Sequence, residues 1–299
     1  MFNIFNSHAQ VVEYRVLNVS KIENDTVKKT HLKFSTSYLN NYIFNGRKDS
    51  ITTPYFIPAI GYFNKNGFNA NLSGYILNLS NNKKFDFLSL DVNYFHEFND
   101  RFSAGLITNK TFYNNNSSGF NNNIKGLVGT NAQYDLDYFT IYVEAEVLFF
   151  QKKDYSLNID ISRDFEIELK NSKLKIEPAF DLNFCTQHYF EYNSTIKRQG
   201  KKNILKSTTD ITTAVNNDKF KLLDYEFSIP ISFETHNFTF FATPIFAIPT
   251  NTIKTTDTKT LYLNGVAKST TSYDSTSKDE IDLKPNFFIE FGVFYKFNL

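Results

Sequence analysis

Residues 285–299 read PNFFIEFGVFYKFNL, and this closing stretch decides the fold. Pro285, Phe287, Ile289, Phe291, Val293, Tyr295, Phe297 and Leu299 fall on one face, and Asn286, Glu290, Gly292, Lys296 and Asn298 on the other. A repeat of two residues is the signature of a β-strand. The first face stays hydrocarbon and aromatic to the chain end, so its natural partner is lipid.

The 299 residues carry 32 Lys+Arg against 31 Asp+Glu, a balance that offers no basic field to nucleic acid and excludes that class of partner. Phenylalanine (33) and tyrosine (18) are abundant, yet mean hydropathy is negative at -0.36. Strands with one oily and one wet face produce that combination. Skewed codon usage could enrich Phe, Tyr, Asn, Ile and Lys, but it cannot create alternation.

Nowhere do about eighteen apolar residues run together, which excludes a transmembrane helix and leaves strands as the only way across a bilayer. The single Cys185 excludes an internal disulfide and a cysteine-based metal cluster. Residues 1–10, ending in the small-residue run Ser7-His8-Ala9, are read as the remnant of a signal peptide. Residues 11–29 are crowded with charge and carry no assignment, and residues 30–299 are read as one domain.

Strand-length segments recur from Thr30 onward. Phe139, Ile141, Val143, Ala145, Val147 and Phe149 alternate with Thr140, Glu144 and Glu146, a length that suits a tilted membrane-spanning strand. Similar faces run through Leu88–Tyr94, Tyr155–Ile161, Leu174–Phe184 and Leu223–Phe233. The pattern predicts about twelve strands, over 30–42, 53–63, 68–79, 85–97, 101–113, 124–134, 138–150, 155–169, 173–191, 219–234, 237–249 and 285–299.

The connections sort by parity. Asn64-Lys65-Asn66-Gly67, Asn99-Asp100, Asp135-Leu136-Asp137, Lys170-Asn171-Ser172 and Thr235-His236 are tight and rich in turn formers. Residues 114–123, 193–218 and 250–284 make longer polar connections on the other side, and those at 80–84 and 151–154 are short. Aromatics bracket the tight turns: Phe63 with Phe68, Phe98 with Phe102, Tyr134 with Phe139, and Phe233 with Phe238. Trp is absent, so these rings alone would form an interfacial girdle. A soluble β-sandwich would instead bury its oily faces against each other and lack such belts.

These features resemble the outer-membrane β-barrel proteins of Gram-negative bacteria, over roughly residues 30–299 and in a porin-like manner. The terminal Val293-x-Tyr295-x-Phe297-x-Leu299 looks like the assembly signal of that class, except that the class usually closes on Phe. The resemblance implies an all-β, antiparallel, up-and-down barrel in the bacterial outer membrane, with short periplasmic turns and long extracellular loops. It also implies outer-membrane lipid, lipopolysaccharide and the barrel assembly machinery as partners.

The wet faces of the later strands are acidic: Glu144, Glu146, Asp160, Asp164, Glu166, Glu168, Glu177, Asp181, Asp224, Glu226 and Glu290, against Lys125, Lys173, Lys175 and Lys296 in the same phase. An acidic wall in a narrow pore would favour cations; paired with lysine inside a filled barrel, the same residues would only hold the interior together. Arg163 shares the lipid phase and needs a bulge or a rim where it can snorkel. The five histidines form no catalytic grouping. His188, with Asp181 and Glu191, is the sole candidate base, and no cofactor motif or metal-ligand spacing occurs. Lys197, Arg198, Lys201, Lys202 and Lys206 could touch lipopolysaccharide phosphates. The expected function is a passive channel for small solutes with an acidic lumen. The alternatives are a non-conducting barrel whose loops at 193–218 and 250–284 bind a surface partner or envelope component, and, third, a rim enzyme.

Overall fold

The computed structural model describes residues 29–48, 52–79, 82–114, 124–150, 152–188, 192–198, 207–215, 219–250, 254–263, 266–276 and 284–299. The expectations for residues 1–28 and for most of the loop at 114–123 lie outside these residues, as do Glu191, Lys201, Lys202 and Lys206. The strands are β1 (His31–Leu39), β2 (Ile43–Phe44), β3 (Arg47–Lys48), β4 (Tyr55–Phe63), β5 (Phe68–Leu79), β6 (Asn82–Asn99) and β7 (Phe102–Tyr113). There follow β8 (Gly126–Asp135), β9 (Thr140–Phe149), β10 (Lys153–Ser162), β11 (Phe165–Leu169), β12 (Ser172–Ile176), β13 (Ala179–Cys185), β14 (Tyr192–Arg198) and β15 (Ser207–Val215). The chain ends with β16 (Lys221–Ser228), β17 (Ile231–Thr235), β18 (Phe238–Pro249), β19 (Lys254–Leu263), β20 (Val266–Thr276) and β21 (Asn286–Asn298).

Neighbouring strands pair antiparallel in the order β1-β4-β5-β6-β7-β8-β9-β10-β13-β16-β18-β21, and β21 returns to β1, closing a twelve-stranded barrel. Closure satisfies the backbone of both terminal strands, so no ladder is left open to hydrocarbon at the seam.

Three wall strands are interrupted at one level. Arg163-Asp164 separates β10 from β11, Glu177-Pro178 separates β12 from β13, and Ile229-Pro230 separates β16 from β17. Proline has no amide to give the ladder, and its carbonyl takes over. Arg163 N donates to Pro178 O at 3.1 Å, Glu177 N to Pro230 O at 2.9 Å, and Ile229 N to Pro244 O at 3.1 Å. Stacked breaks let the wall bend without losing its backbone partners. Below them β11, β12 and β17 continue the sheet onto β18. Arg163 sits in the first break with its guanidinium 4.9 Å from the Phe165 ring centre.

Burial is inverted relative to a water-soluble core. Phe34, Phe56, Leu72, Leu90, Leu106, Val128, Ile161, Phe246 and Phe291 are exposed, while Ser73, Ser89, Asn109, Asn131, Asn158, Asp181 and Thr243 are buried on the opposite face of the same strands. Among the described residues these outward side chains stay exposed, whereas a sandwich would bury its oily face under a second sheet. A continuous apolar exterior of this size belongs in lipid.

The connections at 193–218 and 250–284 contain regular structure. β14, β15, β19 and β20 form a separate four-stranded antiparallel sheet. Thr-rich alternation carries β-propensity that a polar composition conceals, and Thr213 to Asp257 and Thr256 to Asp274, each 2.6 Å, tie neighbouring strands together.

Candidate functional site in the barrel interior

The inner face has a polar zone and an apolar zone. In the polar zone, Asp160, Asp181 and Glu226 stand directly opposite one another on β10, β13 and β16. Glu144 and Glu146 on β9 are bound by Tyr142 (2.5 Å) and Ser156 (2.9 Å). Across the lumen wall Asn109 donates to Asp91 at 2.6 Å and to Ser89 at 2.7 Å, and Asn158 donates to Asn183 at 2.6 Å. Buried side chains of this kind are stable only when mutually satisfied, and the alternation that turns Phe and Leu outward turns these residues inward.

Not all the acidic residues share this place. Asp164, Glu166 and Glu168 lie at or on β11, exposed below the breaks. Lys175 meets Asp164 at 2.9 Å and Glu177 at 3.3 Å, and Lys173 meets Glu166 at 3.0 Å. That lower patch is a charge-paired lip of the barrel. Asp224, fully buried, lies higher, against the turn described next, and Glu290 faces inward on β21 beside Ser37 and Lys33.

The apolar zone is built around residues the sequence reading passed over. After β1 the chain turns into the barrel, where Asn41, Tyr42, Phe44, Asn45 and Arg47 are all buried. β2 and β3 make a minimal hairpin whose turn residues Asn45 (φ 46°) and Gly46 (φ 73°) occupy the left-handed region. Asn-Gly between two short strands is the strongest local hairpin signal, and it was legible; its inward position was not. Tyr42 and Phe44 pack with Tyr55, Tyr75, Leu77, Phe87, Leu127, Leu148, Cys185 and Leu223, drawn from β4, β5, β6, β8, β9, β13 and β16. Ile43 packs against Ile245, Ala247 and Phe288, from β18 and β21. The inward turn thus belongs to clusters that draw side chains from nine of the twelve wall strands. Tyr55 and Leu223 have no exposed surface at all, so the lumen is filled at this level. Tyr55 is anchored by its hydroxyl on Asp86 at 2.7 Å, which a register shift in β6 brings inward beside Phe87.

Seven of the eight expected girdle residues lie on the outer face. Phe98 and Phe102 stack with centres 5.4 Å apart, Phe102 is the register partner of Tyr134, and Phe68, Phe139, Phe233 and Phe238 are exposed. Phe63 is the exception and leaves the girdle. It points inward, stacked on His31 at 5.0 Å and lying 5.2 Å beneath the ammonium of Lys33. Its position in β4 shares the phase of Tyr55 and Ile57, so strand parity overrides its nearness to a turn. Phe288 and Phe294 likewise interrupt the polar face of the closing strand from inside, both buried. Of the terminal signal, Tyr295 pairs with Phe238 on the outside at 4.9 Å, and Phe297 and Leu299 are exposed.

His188 is not grouped with Asp181. Its ring Nδ1 lies 3.0 Å from Oδ1 of buried Asp154, which also receives the His188 amide at 2.8 Å and the Thr186 hydroxyl at 2.5 Å. These contacts hold the end of β13 to β10.

No family model matches the sequence, and no curated protein matches it. Among solved structures, the chain is similar to OccD3 of Pseudomonas aeruginosa, with 10% identity over 91% of each chain and a TM-score of 0.28. It is similar also to OmpF of Salmonella typhi, with 8% identity over 90% of this chain and 97% of that one and a TM-score of 0.28. A third is BamA of Haemophilus ducreyi, with 9% identity over 90% and 71% and a TM-score of 0.31. Superposition at this level carries no weight for function. Barrel closure and inverted burial define the class: the protein is a closed twelve-stranded transmembrane β-barrel.

Proposed function

We propose that the protein is a bacterial outer-membrane conduit for small hydrophilic solutes, with a lumen that favours cations. The observation that carries this reading is the row Asp160, Asp181 and Glu226, placed directly opposite one another on three successive strands. Three carboxylates turned into the lumen on successive strands give a hydrated path a field that concentrates cations. Outer-membrane lipid and lipopolysaccharide would contact the exposed exterior, and the outward Tyr295, Phe297 and Leu299 suit recognition by the assembly machinery. Planar-bilayer recording of the purified protein under a salt gradient tests the reading. Discrete steps with a cation-favouring reversal potential, reduced in the Asp181→Asn, Glu226→Gln chain, are the expected result. Absence of steps, both in the native chain and in one lacking residues 43–48, rejects it.

The ordered sheet β14-β15-β19-β20 favours a second reading, a surface module that binds a partner or envelope component through this platform. Deleting residues 254–276 should then abolish binding to whole envelopes while heat-modifiable folding persists.

A further inference from the structure

We infer that β11 (Phe165–Leu169) is a docking strand, to which a partner on the tight-turn side of the barrel adds an extended segment that alternates basic and apolar residues. The inference is independent of whether the lumen conducts.

Among the described residues, β11 is where the wall sheet ends instead of closing: it pairs with β12 on one side and with no strand on the other. Register is the reason. β9 starts at Thr140, opposite Ser162 at the end of β10, so β11 begins past the last position of β9 that could pair with it, beyond the girdle residue Phe139. An open ladder is untenable in hydrocarbon and, in water, is a template for another strand. Every residue from Arg163 to Asn171 is exposed, and Phe165, Ile167 and Leu169 reach 46%, 52% and 52%. The devices that usually blunt an edge are missing from β11, which contains no Pro or Lys and pairs with β12 without a bulge.

The side chains specify the occupant. Ile167, Leu174, Phe233 and Phe240 are successive register partners, which places Phe165, Ile167 and Leu169 on the outer face and Glu166 and Glu168 on the inner one. Directly opposite these glutamates β12 supplies Lys175 and Lys173, and the Lys173 ammonium lies 3.0 Å from Glu166. One side of β11 therefore already accepts a strand reading Lys-Leu-Lys, and the open side presents the same glutamates and the same apolar row. Glu168 makes no ion pair among the described residues. Cross-strand pairs of opposite charge are favourable, and like charges directly opposite are not. A second copy of the chain is thereby disfavoured, because two β11 edges paired antiparallel about Ile167 set Glu166 against Glu168. Main-chain hydrogen bonds give strand addition its affinity, and alternate side chains give it specificity.

The probe is a fluorescent peptide carrying Ser-Lys-Leu-Lys-Ile, the sequence of β12, beside a copy with every backbone amide methylated. Anisotropy measures the binding of each to the full chain in phosphatidylcholine nanodiscs, native and Glu168→Lys, and heat-modifiable migration confirms that the variant is folded. The plain peptide should bind saturably, and Glu168→Lys should weaken it about fivefold. Methylation removes the donors that a ladder needs and keeps both charges, so the methylated copy should not bind. No binding of the plain peptide, or equal affinity for the native and Glu168→Lys chains, overturns the inference. Undiminished binding of the methylated copy also overturns it, since that means charge attraction without strand addition. Should Glu168→Lys fail to fold, the two peptides compared on the native chain still decide.

Discussion

Gly46 and Asp224 touch across the lumen, so closely that a methyl group on Gly46 would come within 2.7 Å of Asp224 Cβ. The contact joins the first inward turn of the chain to the tenth strand of the wall, and it exists only because residue 46 lacks a side chain and holds φ at 73°. Left-handed backbone costs any other residue about 1–2 kcal/mol. Gly46→Ala should therefore unseat the hairpin while leaving the closed wall intact. Modification of Cys185, buried in the cluster that Tyr42 and Phe44 join, by a membrane-impermeant methanethiosulfonate should accelerate by roughly 5- to 30-fold with unchanged heat-modifiable migration; an unaltered rate would show that the turn tolerates the methyl group where it stands.

The tight turn before β5 is a folding determinant of the wall itself. Gly67, at φ 93°, accepts from Phe95 N at 3.0 Å, and an added Cβ would lie 1.8 Å from Phe95 O. Gly67→Ala must displace backbone on β6 as well as adopt a strained φ, a loss of about 2 kcal/mol or more. A lower urea midpoint for the heat-modifiable form measures it, and a midpoint equal to the native one would contradict the geometry.

Depth in the bilayer can be read by arginine substitution. Leu106, 63% exposed, stands partway along β7, and Phe102 marks its rim end beside Phe98. Leu106→Arg should destabilise the barrel by about 2–4 kcal/mol and Phe102→Arg by about 0–1 kcal/mol beyond the loss of its ring packing. Equal losses from reversible unfolding into lipid vesicles would mean that the rings do not mark an interface.

Lys175 is buried between Asp164 and Glu177. Lys175→Met takes the ammonium away from the buried Glu177 carboxylate, which should cost about 3 kcal/mol at neutral pH. Adding Glu177→Gln should restore much of the loss, because a neutral amide no longer needs the ammonium. The urea midpoints of the two variants provide the comparison.

The twelve wall strands were legible because alternation is local: each strand displays its two faces within about ten residues, whatever its neighbours do. Their predicted limits lie within a few residues of the wall strands, apart from the proline breaks and the end of β13 at Cys185, whereas β2, β3, β14, β15, β19 and β20 fall in segments read as connections. At the breaks the segments 155–169, 173–191 and 219–234, read as single strands, divide at Arg163-Asp164, Glu177-Pro178 and Ile229-Pro230. The candidate site was less legible. Glu144, Glu146, Asp160, Asp181 and Glu226 follow from strand phase alone, but the sorting of Asp164 and Glu166 into lysine pairs depends on which strands adjoin. Phe63 was misplaced because two cues, strand phase and nearness to a turn, disagreed, and phase prevailed.

The amino-acid sequence by itself determined a period-two wall with an oily exterior, since that information resides in the order of side chains along each strand. Only the tertiary structure decided that the exterior closes on itself and that Ile43–Lys48 fills the lumen instead of standing above it. Those outcomes depend on the curvature of the whole sheet and on contacts between residues such as Gly46 and Asn286, 240 positions apart. No pattern within a single strand can encode a partner that closure alone brings near.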